Sequence, residues 1–342
     1  MSRFLEALNG VRKEGPPPVW LMRQAGRYLP EYQAIRRRIP LAQMFSTPEV
    51  AAEVTLLPID ILGVDAAILF SDILVAVEML GLKALYQDGT APRIIPRIET
   101  PQQVDALKQI PACQANSYVA RTIQLLEPLL NCPLIGFVGG PFTLACYCLE
   151  EGATGAMQKM RFWIEHHPEA LKLLLEKLTV ALVDLAKLQI EAGVEALQIF
   201  DSWAGVLPKP LFERFALPYL KKLTEQLKPL GVPILLFTRH SASYVTELAA
   251  LGARGISLSE DADFREIREQ LGSQVVLQGN LSPDLLSGPV SEVVAATQRL
   301  LQQMGGDPAF IVNLAHGVTP AAKVECVRAL VDTVRNGSAA AW

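Results

Sequence analysis

One alternation constrains this chain more than any other feature. Eight times, a short apolar run breaks off into polar or glycine residues, and a stretch of helical length follows. The runs are 19–22 before Arg23, 66–70 before Ser71-Asp72, 134–138 before Gly139-Gly140-Pro141, and 196–200 before Asp201-Ser202. They continue with 234–237 before Thr238-Arg239-His240, 255–258 before Ser259-Glu260-Asp261, 275–277 before Gln278-Gly279-Asn280, and 310–312 before Asn313. A strand that is apolar throughout is buried on both faces, as in a parallel sheet covered by helices. The intervening stretches 47–57, 117–130, 169–192, 211–230, 242–251, 263–271, 290–304 and 321–334 carry the helical period. In 169–192 the leucines at 171, 174, 178, 182 and 185 form a stripe at spacings of three and four. Gly193, Gly231, Gly252, Gly272 and Gly305 stand where such helices stop. Eight βα units predict an α/β fold, a single (β/α)8 TIM barrel over residues 1–336. A doubly wound open sheet is the alternative. The polar and glycine residues after nearly every run favour the barrel and place its cleft at the C-terminal ends of the strands. A short leading helix is expected at 3–12, an insertion over that face at 73–116 (extended at 91–99), and a loose tail at 337–342.

The chain has 342 residues, half of them hydrophobic, which is ample for a large core. Its net charge of -4 argues against a nucleic-acid surface, so a polyanionic substrate must be drawn in by local arginines. No run reaches the 18 apolar residues of a membrane span, so no membrane contact is expected. The first fifteen residues include Glu6 and Glu14 and lack a long apolar core, which fits neither a signal nor a transit peptide. The five cysteines then read as reduced thiols, and the location as cytoplasmic.

The chemistry concentrates at the strand ends. The first run enters sharply after Pro16-Pro17-Pro18 and breaks into Arg23-Gln24-Ala25-Gly26-Arg27. Arginine is a planar, permanently charged fork that grips carboxylates in a bidentate way. Two forks flanking an Ala-Gly pair suggest a small-molecule substrate with more than one acidic arm; the alternative is a solvated arginine pair capping a loop. Gly26 permits a positive-φ turn or a close approach by a ligand. From the other strand ends come Asp72, Tyr147, Ser202 and His316. Asp72 lies in a strongly apolar stretch, where a carboxylate must be paired or functional. It reads either as half of a structural salt bridge or as an acceptor and counter-charge. Tyr147 reads otherwise as a core-edge tyrosine, Ser202 as a helix cap, and His316 as a core histidine. The chain contains no G-x-S-x-G, no G-x-G-x-x-G after a strand and no Walker A. Cys146-x-Cys148 lacks partners at zinc spacing, His166-His167 marks a helix end, and Arg36, Arg37 and Arg38 read as a solvated helix face.

These motifs carry a resemblance. Residues 22–30 (Met-Arg-Gln-Ala-Gly-Arg-Tyr-Leu-Pro), Phe70-Ser71-Asp72-Ile73-Leu74, Gly136-Phe137 through Pro141-Phe142-Thr143-Leu144 with Tyr147, Phe200-Asp201-Ser202, Leu277-Gln278-Gly279-Asn280-Leu281 and Asn313-Leu314-Ala315-His316-Gly317 resemble the uroporphyrinogen decarboxylases of haem biosynthesis. The resemblance runs from about residue 3 to about residue 335. It implies a (β/α)8 barrel, a homodimer, and a lyase that turns the acetate arms of uroporphyrinogen III into methyl groups, giving coproporphyrinogen III, with no metal and no organic cofactor. By the same resemblance Asp72, Arg23, Arg27, Tyr147 and His316 form the catalytic set. Arg23 and Arg27 hold substrate carboxylates, and Gln24, Ala25 and Gly26 line the pocket between them. Asp72 accepts the pyrrole N–H groups, while Tyr147, Ser202 and His316 contact substrate side chains. The residue chemistry agrees. A pyrrole protonated on a ring carbon is its own electron sink, and a carboxylate beneath the ring nitrogens stabilises that cation most in the transition state. The chain departs from the family pattern at Ala315, at 150–154 and at 257–260. Two alternatives stand beside this reading. A zinc- or cobamide-dependent methyltransferase relative would need a thiol near the fifth strand, where the sequence has Thr238-Arg239-His240, and the later Cys326 falls in the last helix. A non-catalytic tetrapyrrole binder would have no need to keep Arg23, Arg27, Asp72, Tyr147, Ser202 and His316 together.

Overall fold

The computed structural model describes residues 2–87, 90–150 and 157–337. Its strands, in chain order, are β1 (Ala67–Ile68), β2 (Lys83–Leu85), β3 (Arg93–Ile95), β4 (Leu134–Gly139), β5 (Ala196–Phe200), β6 (Ile234–Phe237), β7 (Gly255–Ser257), β8 (Val276–Leu281) and β9 (Phe310–Leu314). Seven of them form one parallel sheet in the order β1-β4-β5-β6-β7-β8-β9. Because the pairing is parallel throughout, the C-terminal ends of all seven share one edge.

The sheet curls. Ile135, Ala196, Leu235, Val276 and Ile311, one from each of five strands, pack in a single cluster with Trp20, Met22 and Ala66. Phe4, Ala7 and Leu8 of the leading helix Arg3–Leu8 join that cluster. Neighbours along the same strands, such as Leu197, Leu236, Leu277 and Val312, belong instead to the larger cluster shared with the helices. This is the two-residue alternation of a strand, with both faces apolar. Fully buried polar groups also cross the interior. Trp20 Nε1 donates to Gln278 Oε1 at 2.8 Å, and Gln278 Nε2 donates to Ser257 Oγ at 2.7 Å and to Gln198 Oε1 at 3.2 Å.

The run 19–22, expected as the first of eight strands, is a single parallel bridge, Val19 to Val312. It touches both edges of the sheet all the same. Val312 N–H donates to Pro18 O at 2.9 Å on the β9 side, and Asp65 N–H donates to Val19 O at 2.7 Å on the β1 side. The prolines before Val19 carry no N–H to extend a ladder, and the chain turns away at Arg23, so the run is too short to pair further.

The long helix Pro168–Ala192 buries its leucine stripe completely and stops at Gly193. Other helices fall where the periodicity places them, including Pro48–Leu62, Ser117–Leu126, Phe264–Leu271, Val290–Met304 and Val324–Asn336. The expected helix 211–230 divides into Lys209–Phe215, Leu217–Leu227 and a short 3-10 turn, Lys228–Leu230. Pro218 sits in the first turn of the second piece, where its missing N–H is harmless, but it could not continue the first. The insertion after β1 holds a 3-10 helix, Ile73–Leu80, and the antiparallel ribbon of β2 and β3. No described helix is long and apolar enough to cross a membrane. Residues 338–342 of the expected tail, and 151–154 of the expected rim loop, lie outside the described residues.

Candidate active site

The C-terminal edge of the sheet opens into a cavity of about 330 Å³. Arg23, Gln24, Ala25, Asp72, Tyr147, Ser202 and His316 all line it, although they come from positions nearly 300 residues apart. The remaining wall is strongly apolar. Phe137, Phe200 and Phe237, from the ends of β4, β5 and β6, stand edge to face at 5.7 and 5.9 Å. Phe237 continues the series to the imidazole of His316 at 5.6 Å.

The turn after Met22 is built from its own side chains. Buried Gln24 accepts from Leu21 N–H at 3.1 Å and donates to Ala66 O at 3.1 Å, while its carbonyl accepts from the Tyr28 hydroxyl at 2.6 Å. Gln24 is therefore committed to the turn, with little left to offer a substrate. Of the two uses open to Gly26, it does not adopt a positive φ; Arg23 does, with φ 59°. A non-glycine residue in that region is strained and persists only where its surroundings hold it. Gly26 packs close on the Arg23 carbonyl, where an added Cβ would stand 3.2 Å from the oxygen. Neither Gly26 nor Arg27 is among the residues lining the cavity, and Arg27 is exposed to solvent.

Asp72 is the N-cap of the 3-10 helix Ile73–Leu80 and accepts from Leu74 N–H at 2.8 Å. Burial pushes its carboxyl above the ordinary carboxylate range, against the pull of the Leu74 N–H and the Arg23 charge. Among the described residues it makes no ion pair within 4.0 Å, and the Arg23 charge acts on it only from a distance. Tyr147 projects from the helix Pro141–Leu149, which follows β4. Burial, then the Asp72 charge, raise its phenol, keeping it a neutral donor. His316 Nδ1 accepts from Gly317 N–H at 2.8 Å, which assigns the proton to Nε2. Burial, then Arg23 and Arg239, lower its imidazole to about 4, so a neutral donor faces the cavity.

Other residues at this site carried no usable local signal. Arg239, after β6, stacks over Trp203 at 4.6 Å from the ring centroid, and its charge reaches both Tyr147 and His316. Asp201, passed over beside Ser202, accepts from Thr143 N–H at 2.7 Å and so anchors the start of the helix bearing Tyr147. Of the departure at 257–260, residues 257–259 lie in the interior and Glu260 is exposed: Ser257 accepts from Gln278, and Ser259 N–H donates to Ser241 Oγ at 2.9 Å.

The family model described as uroporphyrinogen decarboxylase matches residues 1–337. The chain belongs to the uroporphyrinogen decarboxylase family. Among its relatives in that family, the uroporphyrinogen decarboxylase of Protochlamydia amoebophila is 41% identical over 334 residues, covering 98% of this chain and 91% of the other. That of Syntrophotalea carbinolica is 40% identical over 333 residues, covering 97% and 96%. A methyltransferase from Methanosarcina mazei superposes with a TM-score of 0.80 at 21% identity, covering 98% of each chain, a likeness of fold alone. Among the described residues, no three His, Cys, Asp or Glu side chains are grouped to hold a metal ion. The uroporphyrinogen decarboxylase fold thus presents one half-buried carboxylate and one cavity-facing guanidinium beside two neutral donors in an aromatic-walled cavity.

Proposed function

We infer that this chain is a carboxy-lyase that converts the acetate side chains of uroporphyrinogen III to methyl groups, releasing CO₂ and giving coproporphyrinogen III. The observation that carries the reading is Asp72. It is a carboxylate with one firm donor, set among protein at the inner wall of the cavity, with its charge under-compensated. Such a group gains most when a cation forms over it, which is differential binding of the transition state.

The reaction balances within the substrate. A proton adds to a pyrrole carbon, and the ring becomes an electron-poor cation above Asp72. The bond to the carboxylate carbon breaks, and its electron pair enters the ring as an exocyclic methylene. A second proton makes that methylene a methyl group, and the ring carbon returns its proton. Each acetate therefore consumes one proton and releases one CO₂. Asp72 holds the ring N–H groups. Arg23 holds an acidic arm, and the neutral donors of Tyr147 and His316, with Ser202, hold others. Arg27, outside the cavity, meets arms that project toward solvent. The pyrrole serves as its own electron sink, so this reading calls for no metal or organic cofactor.

The same reading treats residues 1–336 as one catalytic domain, a cytoplasmic enzyme in which 19–22 serves as an eighth stave closing the barrel. It takes the enzyme to be a homodimer, which sedimentation at micromolar concentration tests by a mass about twice that of the chain. The decisive assay is anaerobic incubation with uroporphyrinogen III and chromatography of the oxidised products. Coproporphyrin is expected. Recovery of uroporphyrin alone, from folded protein, would overturn the assignment.

A further inference from the structure

Asp72 faces a second buried polar group that the proposed chemistry does not use. Tyr86 follows β2 in the insertion, and its ring lies edge-on to Phe45 at 5.1 Å between centroids. Phe45 itself lines the cavity. The Tyr86 hydroxyl is buried and makes no well-formed hydrogen bond among the described residues. A buried hydroxyl left in that state requires an explanation. A charged neighbour explains it, because the Asp72 carboxylate stands within interaction range of the hydroxyl.

The groups around this pair are few. On its own element Asp72 has the Leu74 N–H, and across the cavity it meets Arg23 and Tyr147. Behind Tyr86 stand Tyr118, on the helix Ser117–Leu126, and Glu78. These two are already engaged. The Tyr118 hydroxyl donates to Glu78 Oε2 at 3.5 Å and accepts from Asn116 Nδ2 at 3.3 Å. Asn116 is itself held by Val75 O at 3.1 Å. Among the charged groups of the described residues around the Tyr86 hydroxyl, Asp72 bears on it first and is the acceptor toward which it turns.

We propose that Tyr86 is a positioning residue of the decarboxylation, its hydroxyl donating to Asp72 so that the carboxylate stays charged and keeps its remaining lone pairs toward the pyrrole N–H groups. This deepens the assignment of Asp72 and rests on it. Burial and the adjacent Asp72 charge push the Tyr86 phenol far above the ordinary tyrosine range, so it remains a donor at every working pH. A donor to the charged form of a carboxylate favours that form. Removing it must move the protonation of Asp72 to higher pH.

The test is Tyr86→Phe, which deletes the O–H and keeps the ring against Phe45. One readout needs no substrate: the ¹³C titration of the Asp72 carboxyl, assigned by its absence in Asp72→Asn. In Tyr86→Phe the midpoint should rise by about one pH unit, on the scale of a hydrogen bond to a charged group. The second readout is turnover. A drop of about tenfold in kcat is expected, with KM within about twofold of wild type and the acid limb of the kcat profile displaced to higher pH. Tyr118→Phe removes the next hydroxyl outward and should leave both midpoint and limb in place. An unchanged Asp72 midpoint in Tyr86→Phe would overturn the proposal, as would an equal displacement in Tyr118→Phe. Absence of turnover in the wild-type protein would instead overturn the decarboxylase reading, while the titration still decides the contact.

Discussion

A methyl group added to Gly317 would stand 2.4 Å from Cδ and 2.7 Å from Cγ of Arg23. The residue after His316 is thus the surface along which the Arg23 side chain runs into the cavity. Because Arg23 also holds a positive φ, its backbone has little freedom to absorb a displacement. Gly317→Ala should move the guanidinium rather than unfold the chain. A displacement on the order of 1 Å in a positioning group can cost about 10²-fold, so kcat/KM should fall by roughly 10- to 100-fold with the melting temperature held. Wild-type kcat/KM in this variant would show that Arg23 does not need its present path.

The two arginines should separate in kinetics. Both are exposed, but Arg23 lines the cavity and Arg27 does not. Arg23→Ala should lower kcat and kcat/KM together. Arg27→Ala should raise KM with kcat close to wild type, the signature of an interaction made equally in ground and transition states. Each lost charge-assisted contact is worth roughly 1.5–3 kcal/mol. Lysine at either position should rescue in part, since it supplies charge without the fork. Identical kinetic signatures for the two alanine variants would refute the division of labour.

Asp72→Asn keeps size and a carbonyl acceptor but removes the charge. It should lower kcat by at least ~10²-fold, the scale of one preorganised electrostatic contact. The melting temperature should stay level or rise, because burial already disfavours the charge in the folded state. Asp72→Glu should retain more activity than Asn, with incompletely decarboxylated products. Normal kcat with a lowered melting temperature in Asp72→Asn would return the residue to a structural role.

Much of this was legible because the strands are buried on both faces. The runs at 196–200 and 234–237 became β5 and β6 with their boundaries unchanged. The run at 19–22 looked the same in sequence, yet its pairing depends on the prolines before it and the turn after it. Pro218 was equally visible, but an apolar period on both sides masked the break it makes. At the site, Asp72, Ser202 and His316 were readable because they follow strand ends, and Tyr147 because it lies on the helix that follows one, so topology brings them together. The positive φ at Arg23 was not readable, since local preference favours glycine there while tertiary contacts hold Arg23 in it. Arg239, Tyr86 and Asp201 act through partners distant in sequence. Asp201 and Thr143 are 58 residues apart, so no local capping rule could connect them.

His316 should act as a neutral donor through the whole working range. Its imidazole is lowered to about 4, below the ordinary 6.5, by burial and by two arginines. The ring should titrate near pH 4 in the folded protein by NMR, and no inflection in kcat between pH 5 and 8 should belong to it. An unfolded chain takes up that proton at higher pH, so this residue's contribution to stability is complete above about 6.5 and declines as pH falls toward 4. His316→Gln, which retains an N–H donor, should keep more activity than His316→Ala. A folded-state midpoint near 6.5 would contradict the neutral-donor role.

Asp201 offers a stability test independent of turnover. The helix Pro141–Leu149 begins at Gly140, which has no side chain to cap it. Asp201 supplies the cap from β5's end, accepting from Thr143 N–H, and Thr143 Oγ1 answers by accepting from Trp203 N–H at 3.0 Å. The fit is close: a Cβ on Gly140 would stand 2.1 Å from that of Asp201. Burial at 1% exposure raises the carboxyl from 3.8 to about 6, and its Oδ2 has no partner among the described residues. The folded chain therefore binds this proton more tightly than the unfolded chain. The resulting stability is fully present below about pH 4 and is lost as pH rises through about 6. The loss amounts to about 3 kcal/mol as an order of magnitude. Asp201→Asn removes the titration and keeps an acceptor for Thr143. Urea unfolding of both proteins from pH 4 to 7 should show the wild type losing about 3 kcal/mol relative to the variant across that window. A difference that does not change with pH would mean that Asp201 stays ionised in the folded chain. The burial of Asp201 between the end of β5 and the Tyr147 helix would then be compensated by groups other than the Thr143 N–H.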